Sequence, residues 1–147
     1  MDQEVNNQVE RFCSLWQGLN LIYEDYARSL NITYTSMYIL TMISKLENCT
    51  QKKICQQTFL PKQTVNTIIT GFYKKGWVEL KELPEDRRVK AIHLTSLGKE
   101  YTDKFIPKIK SAEYKAMEQL SQSDREALLS TMDSYCKAFR EAMLNDD

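Results

Sequence analysis

Between residues 62 and 74 the chain carries Lys62, Gln63, Thr64, Asn66, Thr67, Thr70 and Lys74 on the polar side of what reads as one helix. The hydroxyls and amides in this set both donate and accept hydrogen bonds, and an ammonium group stands at either end. Arg87 and Arg88 follow in a polar, turn-prone stretch, with Asp86 beside them. Donor–acceptor side chains of this kind match the edges of nucleic-acid bases, and the cations match phosphates. Asp86 is close enough in sequence to orient the Arg88 guanidinium by a charge-assisted hydrogen bond. The chemistry on offer is recognition of a polyanion, with Arg87 and Arg88 suited to a narrow, strongly negative minor groove.

Bond-breaking chemistry has no comparable set of residues. His93 is the single histidine and lies in an apolar stretch with no nucleophile beside it, so it reads as a half-exposed strand residue. Cys13, Cys49, Cys55 and Cys136 form no C-x-x-C pair, and with one histidine no metal site is expected. Gly18, Gly71, Gly76 and Gly98 match no phosphate-cradling loop, so no cofactor is expected and the chain does not read as an enzyme. The opening residues are polar and acidic, and no apolar run approaches the ~20 residues of a membrane span. The expected setting is cytoplasmic, with reduced thiols and no membrane partner.

The 147 residues include 20 basic and 20 acidic side chains, a net charge of zero that by itself argues against nucleic acid. The distribution reverses that argument. Residues 50–110 hold 13 basic and six acidic side chains, a net +7, between flanks of −3 and −4. A local positive field, not the total, is what phosphate binding requires.

The elements that position these residues follow from periodicity. Val5, Val9, Phe12, Trp16, Leu19, Tyr23, Tyr26 and Leu30 recur at steps of four and three, which predicts a long N-terminal helix. Thr35 is the expected N-cap of a second helix, Thr50 caps a third over 51–58, and a fourth runs over 62–75 to a stop at Gly76. Residues 77–81 and 89–94 read as a β-hairpin around the Leu83–Arg88 tip. A helix over 96–120 with a bend at Pro107 and another over 123–144, with a capping box at Ser123 and Glu126, complete the chain. The fold class is therefore mainly α with a minor β component: a winged helix-turn-helix lobe over 31–98. Long N- and C-terminal helices, over 1–30 and 99–147, form a dimerisation region. Leu128, Met132, Tyr135, Phe139 and Met143 give the last helix its own apolar seam, and two such seams predict a two-fold homodimer.

The stretch from Asp86 to Gly98 resembles the wing signature of the MarR family of bacterial regulators, D-x-R-x-x-x-L-x-L-T-x-x-G, with Ile92 in place of the first Leu. Lys74-Lys75-Gly76-Trp77-Val78 resembles the family's recognition-helix end, and Leu30-Asn31-Ile32-Thr33-Tyr34 its segment before the second helix. The resemblance implies a homodimeric, sequence-specific transcriptional regulator of double-stranded DNA with a roughly palindromic operator. The expected action is that of a repressor released by a small ligand. It further implies Arg88 as the minor-groove arginine and Asp86 as its partner. A small aromatic ligand would have Trp16, Tyr23, Tyr34, Met37 and Tyr38 as candidate lining. An alternative trigger is oxidation of Cys13, placed early in the first helix as in the peroxide-responsive OhrR branch, with Tyr26 and Tyr34 nearby. A different class of function, a winged-helix protein-interaction module, stands against the DNA reading.

Overall fold

The architecture was analysed in a computed structural model that describes residues 2–144. The predicted N-terminal seam folds as one continuous helix, α1 (Gln3–Ser29), which turns off at Asn31 in a left-handed conformation. Helices α2 (Tyr34–Lys45), α3 (Gln51–Thr58) and α4 (Lys62–Lys74) follow, then strands β1 (Val78–Glu82) and β2 (Lys90–Leu94). Helices α5 (Ser96–Asp103), α6 (Ile106–Glu118) and α7 (Gln122–Leu144) close the chain. The order helix, tight turn, helix, hairpin over α3 to β2 is the expected winged helix-turn-helix. Two compact units divide the chain, Met1–Asp103 and Lys104–Asp147.

The core of the first unit is built from one face of each short element. Met37, Ile39, Leu40 and Ile43 of α2 are buried together with Ile54 of α3 and Val65, Ile69 and Phe72 of α4. Val78, Ala91 and Ile92 of the hairpin and Ala27 of α1 are buried as well. On α4 the buried positions fall at steps of four and three, leaving the intervening hydroxyls and amides to face outward.

The hairpin is antiparallel, with Val78 opposite Leu94 and Glu82 opposite Lys90. It is anchored to the segment before α3: the Ile92 N–H donates to the Cys49 carbonyl at 2.7 Å, and Thr50 bridges to Ala91. At its base, the Thr95 N–H donates to the Trp77 carbonyl at 3.0 Å and the Thr95 hydroxyl to the Gly76 carbonyl at 2.6 Å. The same hydroxyl accepts from the Gly98 N–H at 3.0 Å, so Thr95 also caps α5. Trp77 stacks on Tyr101 with ring centroids 4.0 Å apart, and the Lys75 ammonium sits 4.4 Å from the Trp77 ring centre. The Tyr101 hydroxyl donates to the carbonyl of Leu30, at the end of α1.

Several element ends shift by one residue from the sequence reading, and three boundaries differ in kind. The cap of α2 is Thr33, not Thr35, because Thr33 is the extended residue whose hydroxyl accepts from the Ser36 N–H, while Thr35 lies inside the helix. The cap of α7 is Ser121, not Ser123. Its hydroxyl accepts from the Asp124 N–H and donates to the Asp124 carboxylate, the expected reciprocal spacing two residues earlier. The expected 96–120 helix is interrupted at residues 104–105, and Pro107 lies in the first turn of α6, where its missing N–H is not needed.

Cys49 is fully buried, and burial pushes its thiol up from 9.0 to about 11, with the Lys53 ammonium pulling weakly the other way. Since the folded value lies above the unfolded one, this group leaves stability untouched below pH 9 and destabilises as pH rises through about 11. At pH 8 Cys49 is expected to react with an aromatic disulfide reagent more than about 100-fold slower than exposed Cys13 and Cys136. Equal rates by peptide mapping would contradict this placement.

Candidate nucleic-acid interface

The outward side of α4 presents Lys62, Gln63, Thr64, Asn66, Thr67, Thr70 and Lys74, all exposed. They are held there because Val65, Ile69 and Phe72, on the opposite side, are locked in the core. The Gln51 amide donates to the Lys62 carbonyl at 3.1 Å and ties the start of α3 to the start of α4. Pro61 stands at the N-cap of α4 and no side chain caps it. The first-turn N–H groups, with the positive end of the helix dipole, thus point outward as a setting for an anion. Thr67 donates its hydroxyl proton to the Gln63 carbonyl at 3.0 Å, so toward a ligand it offers lone pairs.

The wing tip is ordered by one carboxylate. Asp86 accepts from the Arg88 backbone N–H at 3.0 Å, from Arg88 Nε at 3.1 Å, and from the terminal guanidinium nitrogen Nη2 at 3.3 Å. The Arg88 side chain and then its backbone N–H hold the Asp86 carboxyl below its ordinary value. The Arg88 side chain is 91% exposed, so the pair serves to aim the guanidinium more than to stabilise the fold. Arg87 is exposed beside it.

Between α4 and the wing runs a groove of about 500 Å³. It brings Lys62, Asn66 and Thr70 of α4 together with Arg88 of the wing, over an apolar floor that includes Ile69, Leu80 and Ile92. Gln63, Thr64, Thr67, Lys74 and Arg87 are not among its lining residues. Sequence reasoning missed Gln51, Lys52, Tyr73 and Lys90, which line it too. Lys52 and Lys90 lie within the basic stretch, but no spacing rule assigns them to one groove. Lys52, Lys62, Arg88 and Lys90 supply four cations, and no carboxylate lines the groove. Such a surface has the charge and the hydrogen-bonding groups to suit a polyanion.

Away from this face, Tyr34 stacks on Tyr23 with centroids 5.2 Å apart and lies 6.3 Å from Tyr38. Met37 is buried in the core, and Trp16 is half exposed on α1 and stacked on Phe12. Of the candidate ligand-lining set, the three tyrosines are thus together, Met37 is buried on the same helix as Tyr34 and Tyr38, and Trp16 lies on α1 against Phe12. Cys13 is exposed on α1. Among the described residues, no three His, Cys, Asp or Glu side chains are grouped to hold a metal. No described helix is long and apolar enough to cross a membrane.

Residues 30–89 match the profile of the MarR family. The regulator SarZ of Staphylococcus saprophyticus is 30% identical over 103 residues, covering 67% of this chain and 70% of SarZ. Other curated relatives are matched more narrowly. The chain spans 52% of SarZ from Staphylococcus haemolyticus and 16% of a phenylalanine–tRNA ligase alpha subunit from Pyrococcus abyssi. Among solved structures, AbsC, a MarR family regulator of Streptomyces coelicolor, superposes with a TM-score of 0.80 at 18% identity, covering 96% of this chain and 97% of AbsC. FabT of Streptococcus pneumoniae, solved in complex with DNA, gives 0.74 at 21% identity, covering 95% of this chain and 99% of FabT.

Proposed function

The chain belongs to the MarR family of transcriptional regulators, and from that premise we propose that it is a sequence-specific double-stranded DNA-binding regulator and not an enzyme. The observation that carries this reading is the groove between α4 and the wing, with four cations, no carboxylate and the outward amides and hydroxyls of α4 alongside. In it, α4 enters the major groove, with Lys62, Gln63, Thr64, Asn66, Thr67 and Thr70 toward base edges and phosphates and Lys74 toward the backbone. Arg87 and Arg88 enter the adjacent minor groove, and Asp86 fixes the angle of Arg88. The FabT–DNA complex supports the assignment through shared fold.

The proposed active unit is a cytoplasmic homodimer on a roughly palindromic operator, with 1–30 and 99–147 as its dimerisation region. Leu15 and Ile22 on α1, and Leu129, Phe139 and Met143 on α7, are each more than half exposed, and a second copy would cover them. The proposed action is repression relieved by a small aromatic ligand, for which the Tyr23–Tyr34–Tyr38 cluster is the candidate contact. A salt titration of binding to genomic promoter fragments tests the reading. Affinity is expected to fall steeply and log-linearly with salt. Absence of any shift at low salt would leave the protein-interaction module as the better account.

Asp86→Ala separates aiming from charge. Specific affinity is expected to fall about threefold, because Arg88 loses its orienting partner. Non-specific affinity is expected to rise, because a negative charge leaves the DNA-facing wing. Fluorescence anisotropy on operator and scrambled duplexes reads both. A parallel change in the two would show that Asp86 does not aim Arg88.

A further inference from the structure

Tyr73 lies in the last turn of α4 and lines the groove between α4 and the wing. It is 59% exposed, and its hydroxyl has no hydrogen-bond partner among the described residues. Lys62, Asn66, Thr70 and Tyr73 follow one another at steps of four, four and three, so they form a single row along the side of α4 that borders the groove. At the helical rise of about 1.5 Å per residue the row extends about 16 Å.

Lys52 of α3, Lys62 of α4 and Lys90 of β2 line the same groove, and none has a carboxylate partner among the described residues. Asp86 takes up only Arg88. Ammonium groups gathered from three elements onto one carboxylate-free surface repel each other until an anion lies between them. The length of the row suits an extended anion: one strand of a duplex carries a phosphate about every 3.4 Å along the axis, so several fall within it. In helix-turn-helix docking the first turns of the second helix meet base edges, which leaves its last turn beside the sugar–phosphate backbone. A phenol there is a neutral donor for a phosphate oxygen. We propose that Tyr73 is a further DNA-contacting residue, its hydroxyl donating a hydrogen bond to a phosphate of the strand that Lys52 and Lys90 neutralise. The inference rests on the DNA-binding reading above and adds to it a contact that carries affinity without charge and without sequence preference.

The test uses the full chain, a duplex selected from random-sequence DNA and a scrambled duplex of the same length. Tyr73→Phe removes one unpartnered oxygen, so the thermal midpoint is expected to hold. Affinity is expected to fall about fivefold, by the same factor on both duplexes, with the slope of log K against log salt unchanged because a hydroxyl displaces no counterion. Lys52→Gln and Lys90→Gln are the charged comparison, each expected to lower that slope by about one per protomer. Uncharged methylphosphonate linkages introduced one at a time locate the contact: the Tyr73→Phe loss is expected to vanish at one linkage per half-site. Undiminished affinity of Tyr73→Phe would overturn the proposal, as would a loss that persists unchanged at every linkage. A loss confined to the selected duplex would overturn it in favour of a base contact. An unsubstituted protein that binds neither duplex at low salt would overturn the DNA reading itself, before a variant is made.

Discussion

Gly98→Ala is expected to lower the free energy of unfolding by about 3 kcal/mol, a large loss for the addition of one methyl group, because Gly98 is buried. A Cβ built on Gly98 lies 2.8 Å from the Trp77 carbonyl carbon and 3.1 Å from its Cα, with the carbonyl oxygen closer still. These are backbone atoms, so no side chain can swing aside. Either α5 or the segment after α4 must move, and movement breaks the Thr95 bonds to Trp77 and Gly76 that join them. Each such bond is worth about 1 kcal/mol. Against this, alanine gains about 1 kcal/mol in helix propensity over glycine. The collision and the lost bonds win. Urea unfolding followed by far-ultraviolet circular dichroism measures the difference, and a change under about 0.5 kcal/mol would refute the close approach.

Arg88→Ala is expected to weaken operator binding about tenfold to a hundredfold and to lower the slope of log K against log salt by about one per protomer. The guanidinium is nearly free of protein burial, so its removal leaves the fold intact. Arg87→Ala is the internal comparison: also exposed but without the Asp86 contacts that hold Arg88, it is expected to cost about threefold. Anisotropy titrations at several salt concentrations, with light scattering to verify an unchanged mass, supply the readout. An Arg88→Ala protein with undiminished affinity and slope would remove the wing from the interface.

Much of this arrangement is legible in the residues themselves. The seam of α1, the three short helices and the hairpin follow from periods of 3.6 and 2, because burial on one face imposes those periods directly. The outward set on α4 was readable for the same reason. Cap positions were off by two at Thr33 and Ser121 because several hydroxyls stand near each helix start, and only the extended backbone at one of them selects the cap. The groove itself was not legible. Lys52, Tyr73 and Lys90 come from three elements, and their convergence depends on how α3, α4 and the hairpin pack. The T-x-x-G part of the wing signature was readable as a pattern. Its cause, Thr95 bonded to Gly76 and Trp77 while Gly98 abuts Trp77, lies in contacts between residues about 20 apart in the chain.

The stack of Lys75, Trp77 and Tyr101 joins two ends of the first unit. Lys75 is the cap residue just past α4, and Tyr101 hydrogen-bonds to the carbonyl of Leu30, the cap residue just past α1. Flat rings in face-to-face contact slide easily but resist tilting, and the hydroxyl bond fixes one edge. The end of α1 and the foot of α4 are thus linked by a short run of contacts as well as by the intervening chain.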